Sequence, residues 1–194
     1  MAITSLIIPL TANEKVKDEG KNKAFKVLME AELPENFPEP GPLNKVIMKE
    51  YPECRLAKVG NGVSQNFSFM RLFMHIKTNK VAMTTPVIMN LEKDKLERKD
   101  MAFVYGKTSI GKTGKRKGGV EVKDLPAKKY ISIGMRGYEN KDKFELALSK
   151  LKDWFKLNPE FKTDGAPRLL GYNSPMVNGS QRYFEVQLPV SFKE

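Results

Sequence analysis

The sequence predicts an α+β protein built from two pseudo-symmetric repeats. They form a curled antiparallel eight-stranded sheet, or a distorted barrel, with two amphipathic helices packed on it. Three observations carry this expectation. A helix-patterned stretch, residues 67–77, runs into an apolar strand, 81–90, that Pro86 interrupts. The same succession returns between Phe144 and Val177, where Ser174-Pro175 follows an apolar run. Tyr51-Pro52 early in the first half is answered by Leu125-Pro126 in the second. Internal repetition outranks local propensity in deciding architecture, and two strand–strand–helix–strand–strand units stack their helices on one sheet.

Each element has its own signal. Residues 1–43 read as an arm: a lysine-rich stretch, 13–26, then Leu33-Pro-Glu-Asn-Phe-Pro-Glu-Pro-Gly-Pro42, whose prolines stiffen it into a strap. Phe25, Val27, Leu28 and Phe37 are its candidate anchors. The domain proper spans 44–194. Residues 46–51 and 54–59 read as strands joined by the turn Pro52-Glu53 into a hairpin that Gly60-Asn-Gly62 ends. Phe69, Leu72, Phe73 and Ile76 recur at the spacing of one helical face, flanked by Met70 and Met74. Pro86 has no N–H for a sheet ladder, so the strand at 81–90 belongs at an edge or a bulge. Residues 101–105 make the fourth strand. In the second half 120–122 and 129–135 flank the turn Leu125-Pro-Ala127. Phe144, Ala147, Leu148, Leu151 and Phe155 form the second helical face, and strands at 168–172 and 183–188 complete the count.

Composition bounds function. The chain has 194 residues, a single cysteine and a net charge of +11. One cysteine excludes an internal disulfide. No run approaches the ~18 apolar residues of a membrane span, and the apolar start, 1–10, lacks the basic leader of a signal peptide. A cytoplasmic setting is the expectation, with the compartment otherwise left open. The surplus lysines are scattered among acidic residues, without a recognition helix, zinc finger or arginine–aromatic run. A solvated surface and no nucleic-acid partner are therefore expected.

One motif is a decoy. Gly106-Lys-Thr-Ser-Ile-Gly-Lys-Thr113 fits the phosphate-loop pattern, but that chemistry needs a helix to follow, so that its N-terminal amides meet the phosphates. The following Gly114-Lys-Arg-Lys-Gly-Gly119 is a flexible basic loop. Catalysis has little support: one histidine has no nucleophile motif to partner it, and no histidine–carboxylate cluster suggests a metal site.

Glu50-Tyr-Pro, Lys80-Val-Ala-Met-Thr-Thr-Pro-Val87, Gly171-Tyr-Asn-Ser-Pro175 and Phe184-Glu-Val-Gln-Leu-Pro-Val190, in that order, resemble the SOUL/haem-binding protein family over residues 44–190. The resemblance implies a pseudo-twofold α+β barrel related to GyrI-like ligand-binding domains, and binding of haem or another tetrapyrrole in an apolar cleft. His75, the only histidine, is the obvious axial ligand for haem iron. It falls opposite Phe69 and Leu72, which predicts a solvent-side position instead. Some relatives place a ligating histidine before a tyrosine in the first strand; Glu50 stands there, before Tyr51. Weak or purely apolar attachment is therefore expected, with Met70, Met74, Met83, Tyr51 or Cys54 within reach of the iron. Arg71, Lys80 and Arg136 are the candidate propionate clamps. GyrI-like relatives supply a second reading, small-molecule turnover in the same groove by Glu185 with Tyr172 or Tyr183. A protein-interaction module using the arm and the basic loop is a third.

Overall fold

The computed structural model describes residues 25–60, 64–93 and 97–193. The apolar start, most of the lysine-rich arm, and Asn61-Gly62 lie outside them. In chain order the elements are β1 (Val46–Tyr51), β2 (Cys54–Gly60), α1 (Gln65–Thr78), β3 (Val87–Leu91), β4 (Arg98–Val104), β5 (Gly114–Lys115), β6 (Val120–Leu125), β7 (Lys128–Arg136), α2 (Lys141–Leu157), β8 (Phe161–Thr163), β9 (Arg168–Gly171) and β10 (Tyr183–Phe192). Both helices start on a side-chain cap: Ser64 Oγ accepts from Phe67 N–H, and Asn140 Oδ1 from Lys143 N–H.

The strands form one sheet in the order β1-β7-β10-β9-β3-β4-β2-β6-β5, with β8 beside β10. Leaving out the short β5 and β8, the order reads the same from either end when the repeats are exchanged. The first strand of each repeat lies against the second strand of the other, and the third strands, β3 and β9, meet in the middle. The pseudo-twofold predicted from sequence is thus present, and its axis falls between β3 and β9. Its connectivity differs from two hairpins. Tyr51-Pro-Glu-Cys54 joins strands that do not pair: β1 pairs β7, and β2 pairs β4 and β6. Two residues reach across only about 10 Å, so the two ends of the sheet are brought face to face. Pro52 and Pro126 end each first strand at that crossing. The sheet curls without closing.

Two further differences concern proline. Residues 81–86 form no strand; β3 starts at Val87, directly after Pro86, whose bond to Thr85 is cis. Pro175 is not the counterpart of Pro86, because it lies beyond the far end of β9. The proline that directly precedes β9 is Pro167. A proline at the head of a strand loses no ladder bond, which is why both are tolerated in the middle of the sheet.

The sheet carries a core on each face. On the helix face, Leu72 and Ile76 of α1 and Phe144, Ala147 and Leu151 of α2 pack on Phe103, Ile131, Ile133 and Val186. On the inner face, Leu56, Ile88, Leu170, Tyr51 and Tyr183 enclose Phe37 of the strap. Phe37 sits edge-on to Tyr51 at 5.2 Å, and Phe25 stacks on Tyr183 at 6.3 Å. Leu28, the fourth expected anchor, is exposed. The strap joins the sheet through Asn44 N–H to Gly134 O, 2.9 Å. Only glycine fits at 134, since a Cβ there would stand 2.8 Å from Pro42 O.

Candidate functional site

Among the described residues, three prominent hollows flank these layers. The first is a cleft of about 560 Å³ on the helix face at the pseudo-twofold axis. Val87, Met89, Met101 and Gly171 line it along the sheet, and Phe69 and Met70 of α1 form one wall. Its polar residues are largely engaged. Glu139 pairs with Arg182 at 3.6 Å, and Glu30 accepts from Ser174 N–H and Oγ at 2.6 and 2.9 Å. The second, about 310 Å³, lies on the inner face, with Tyr51, Cys54 and Arg168 in its wall. The third is an open groove of about 650 Å³ on the outer side of α1, closed by Arg116, Lys117 and Gly118.

The helix α1 explains the third. It buries Ser68, Leu72, His75 and Ile76, a stripe rotated by about one residue from the face predicted from Phe69 and Phe73. Its apolar residues therefore exceed the face it can bury. Phe67, Met70 and Met74 are 60, 51 and 54 % exposed on its outer side. Arg71 lies among them, its guanidinium 5.5 Å from the Phe67 ring centre.

This rotation also corrects the expectation for His75. It is buried rather than solvent-side, and its Nε2 lies 2.8 Å from the Tyr105 hydroxyl. The Asn79 side chain lies 3.4 Å from Nδ1 and donates to the His75 carbonyl at 2.8 Å. Burial, and then the Arg116 charge, lower the imidazole pKa, so the ring is neutral at pH 7.

The expected residues divide among the hollows. Met70, Arg71, Met74 and His75 come together in the α1 groove. Met83 lines the axial cleft, which Met70 also borders. Tyr51 and Cys54 lie on the inner face, and burial pushes the Cys54 thiol up to about 11, leaving it neutral. Arg136 stacks 5.0 Å above Phe25 and donates to Ser180 O, far from the groove. Lys80 takes a positive φ of 54° just past α1 and lines none of the three hollows.

Glu185 is neither groove-facing nor exposed. It is fully buried on the inner face. Oε1 accepts from Lys49 Nζ and Gly41 N–H, both at 2.6 Å, with the Tyr183 hydroxyl at 2.8 Å. Oε2 accepts from Ser132 Oγ and Gln187 Nε2, each at 2.8 Å. Burial pushes this carboxyl up, but the Lys49 charge and the converging donors outweigh it and hold it below the usual range. A carboxylate so saturated has no lone pair left for a substrate. It fastens the strap, which Lys49 also grips through Glu39 O at 2.7 Å. Tyr183 belongs to the same network. Tyr172 packs edge-on to Tyr183 at 5.2 Å, and burial raises its phenol well above its ordinary value, as it does for Tyr183.

The phosphate-loop decoy is a loop with no helix after it; β5 follows. Arg55 Nη1 donates to two of its carbonyls, Ile110 O and Gly111 O, and the Ile110 N–H donates within the loop to Lys107 O at 3.3 Å. Among the described residues no group of histidine, cysteine and carboxylates could hold a metal ion. Nor is any described helix long and apolar enough to cross a membrane.

Sequence reasoning missed the basic wall of the groove, Arg116 and Lys117, because only folding brings residues 116–118 against α1. It also missed Arg168, whose setting on the inner face has no local signature.

Comparison with known proteins places this architecture. A search of curated proteins returned no match. Among solved structures the chain is similar to the EcmrR C-terminal domain, at 19% identity and a TM-score of 0.56 over 77% of this chain and 98% of that one. It is also similar to a hydrolase from Listeria innocua, at 12% identity and a TM-score of 0.59 over 78% and 94%. At such identities the likeness shows a shared fold alone. The family model described as SOUL heme-binding protein matches residues 48–189. With the paired repeats, the strap and the central strands all falling inside or beside that match, the chain belongs to the SOUL haem-binding family.

Proposed function

We propose that this protein binds haem or a related tetrapyrrole in the groove on the outer side of α1, by apolar contact and without histidine ligation. The observation that carries this reading is the exposed row Phe67, Met70 and Met74 beside Arg71, Arg116 and Lys117. A large apolar ring with anionic propionates needs such a surface: a greasy platform flanked by cations and free of carboxylates. The axial cleft is lined by Glu30, Glu139 and a single cation, Arg182, already paired with Glu139, a poorer charge balance for propionates. Bound haem would supply a redox-active iron and two carboxylates. The chain's part is to cover the macrocycle with the α1 side chains and clamp the propionates. His75 stays neutral and engaged with Tyr105, and the thioethers of Met70 and Met74 are the soft donors nearest the groove.

A Soret titration of the full chain with haemin tests this. The expected result is a saturable change that persists in His75→Ala and weakens in Arg71→Glu/Arg116→Glu. The absence of a saturable change in the wild-type chain overturns the proposal. Loss of the change in His75→Ala, with the fold intact, overturns the ligation-free attachment.

A further inference from the structure

The inner-face cavity carries a charge that the fold leaves unanswered. Arg168 is 6 % exposed at the cavity wall, set against two rings that stand at right angles to each other. Its guanidinium carbon lies 3.5 Å from the Tyr130 ring centre and 4.6 Å from that of Tyr51. Nε donates to Gln187 Oε1 at 2.9 Å, yet Nη2 is buried with no hydrogen-bond partner among the described residues. The neighbouring carboxylate, Glu185, is already committed to Lys49 at 2.6 Å. The other buried carboxylate, Asp100, is engaged by Asn90 and Lys58, so among the described residues neither buried anion pairs with Arg168. An uncompensated buried charge is costly unless something completes it.

The rest of the cavity points the same way. Lys58, Lys123 and Lys128 also border it, Lys128 paired with Asp164 at 2.9 Å and Lys58 with Glu121 at 3.7 Å. Its one acidic residue, Asp100, accepts from Asn90 Nδ2 at 2.6 Å and lies 3.9 Å from Lys58 Nζ. Between these poles the walls are apolar: Phe37, Leu56, Ile88 and Leu125. A volume of about 310 Å³ suits a molecule of one ring or a short chain.

We propose that this cavity is a second binding site, for a small organic acid. The carboxylate meets Arg168, and the apolar body lies against the aliphatic wall. A planar carboxylate matches the guanidinium fork, and the Tyr51 and Tyr130 rings packed against the guanidinium hold that fork in place for it. The site is on the opposite face of the sheet from the α1 groove and is independent of it.

The test is calorimetric titration of the full chain with benzoate and hexanoate, with benzamide as the uncharged counterpart and inorganic phosphate as a separate arm. Saturable carboxylate binding is expected, with benzamide roughly tenfold weaker or more. Arg168→Gln is expected to weaken benzoate by a similar factor while haemin binding is unchanged. A variant-free readout accompanies this: NMR contacts from the benzoate ring to the Tyr51 and Tyr130 rings of the wild-type chain. No saturable carboxylate binding, phosphate binding in place of carboxylate, or contacts to the α1 methionines instead would each overturn the proposal. The NMR contacts decide the matter even if Arg168→Gln fails to fold. Failure of the haemin titration alone leaves this site standing.

Discussion

The two repeats share one backbone plan and spend their side chains differently. In the second, α2 buries Phe144, Ala147, Leu148 and Leu151 and otherwise shows mostly lysines and acids to solvent. Its sheet strands, β7 and β10, carry Ser132, Glu185 and Gln187 in the network that anchors the strap. In the first, α1 buries a polar Ser68 and His75 beside Leu72 and Ile76, and leaves Phe67, Met70 and Met74 outside. Duplication makes the difference interpretable, because packing demands are alike at both places. What α1 exposes is not needed for packing, since α2 packs without it. The second repeat holds the molecule together, and the first presents a surface.

The largest expected effect lies in the second repeat. Glu185→Ala leaves Lys49, 4 % exposed, without its counterion, and frees Gly41 of the strap. Breaking a buried pair from one side costs about 3–5 kcal/mol. Denaturant unfolding is expected to show a loss of that size. The double substitution Lys49→Met/Glu185→Leu removes both charges and is expected to recover most of it. If the single and double variants are equally unstable, the charge pair is not what anchors the strap.

The next effect lies in the first repeat and changes binding instead of stability. Met70→Ser/Met74→Ser removes apolar surface that is already half in water. Unfolding free energy is therefore expected to move by no more than about 0.5 kcal/mol. Haemin affinity is expected to fall by roughly tenfold or more, because buried methionine contributes ~1.5–3 kcal/mol. Leu146→Ser, at an exposed apolar position of α2, is the control and is expected to alter neither. Equal loss of haemin affinity in both variants would erase the contrast between the helices.

How much of this was legible in sequence follows from which signals are local. The helices and most strands are written in periodicity, and the repeat is written in the spacing of apolar runs. Pairing is not. Tyr51-Pro52-Glu53-Cys54 looks like a hairpin turn, and only the exchange of first strands between repeats shows that it spans the sheet. Rotation of α1 was misread because Phe69 and Phe73 are as apolar as Leu72, so periodicity has more apolar positions than the sheet can cover. Met70, Arg71 and Met74 nonetheless fall together, since helical spacing puts them on one face wherever that face points. Glu185 and Arg168 were illegible in role. Strand alternation gives the side of the sheet but not whether that side is open, and here the strap fills it with Phe37 and Gly41.

The smallest expected effect tests the buried histidine, the feature of α1 that looks least like its counterpart. The folded state lowers the His75 pKa below its ordinary value, first by burial and then through Arg116. Between that lowered value and about 6.5, the unfolded chain binds a proton that the folded chain does not. The contribution is fully present above about pH 6.5 and is lost as pH falls through the folded pKa. Melting temperature is therefore expected to decline from pH 7.5 to 5.5 in the wild-type chain and to decline less in His75→Gln. That variant keeps an amide able to reach the Tyr105 hydroxyl, so a difference in slope reports protonation and not loss of the hydrogen bond. Parallel slopes would mean that the ring is solvated after all. α1 would then present its histidine to the groove together with its methionines, and axial ligation would return as the simpler account of the site.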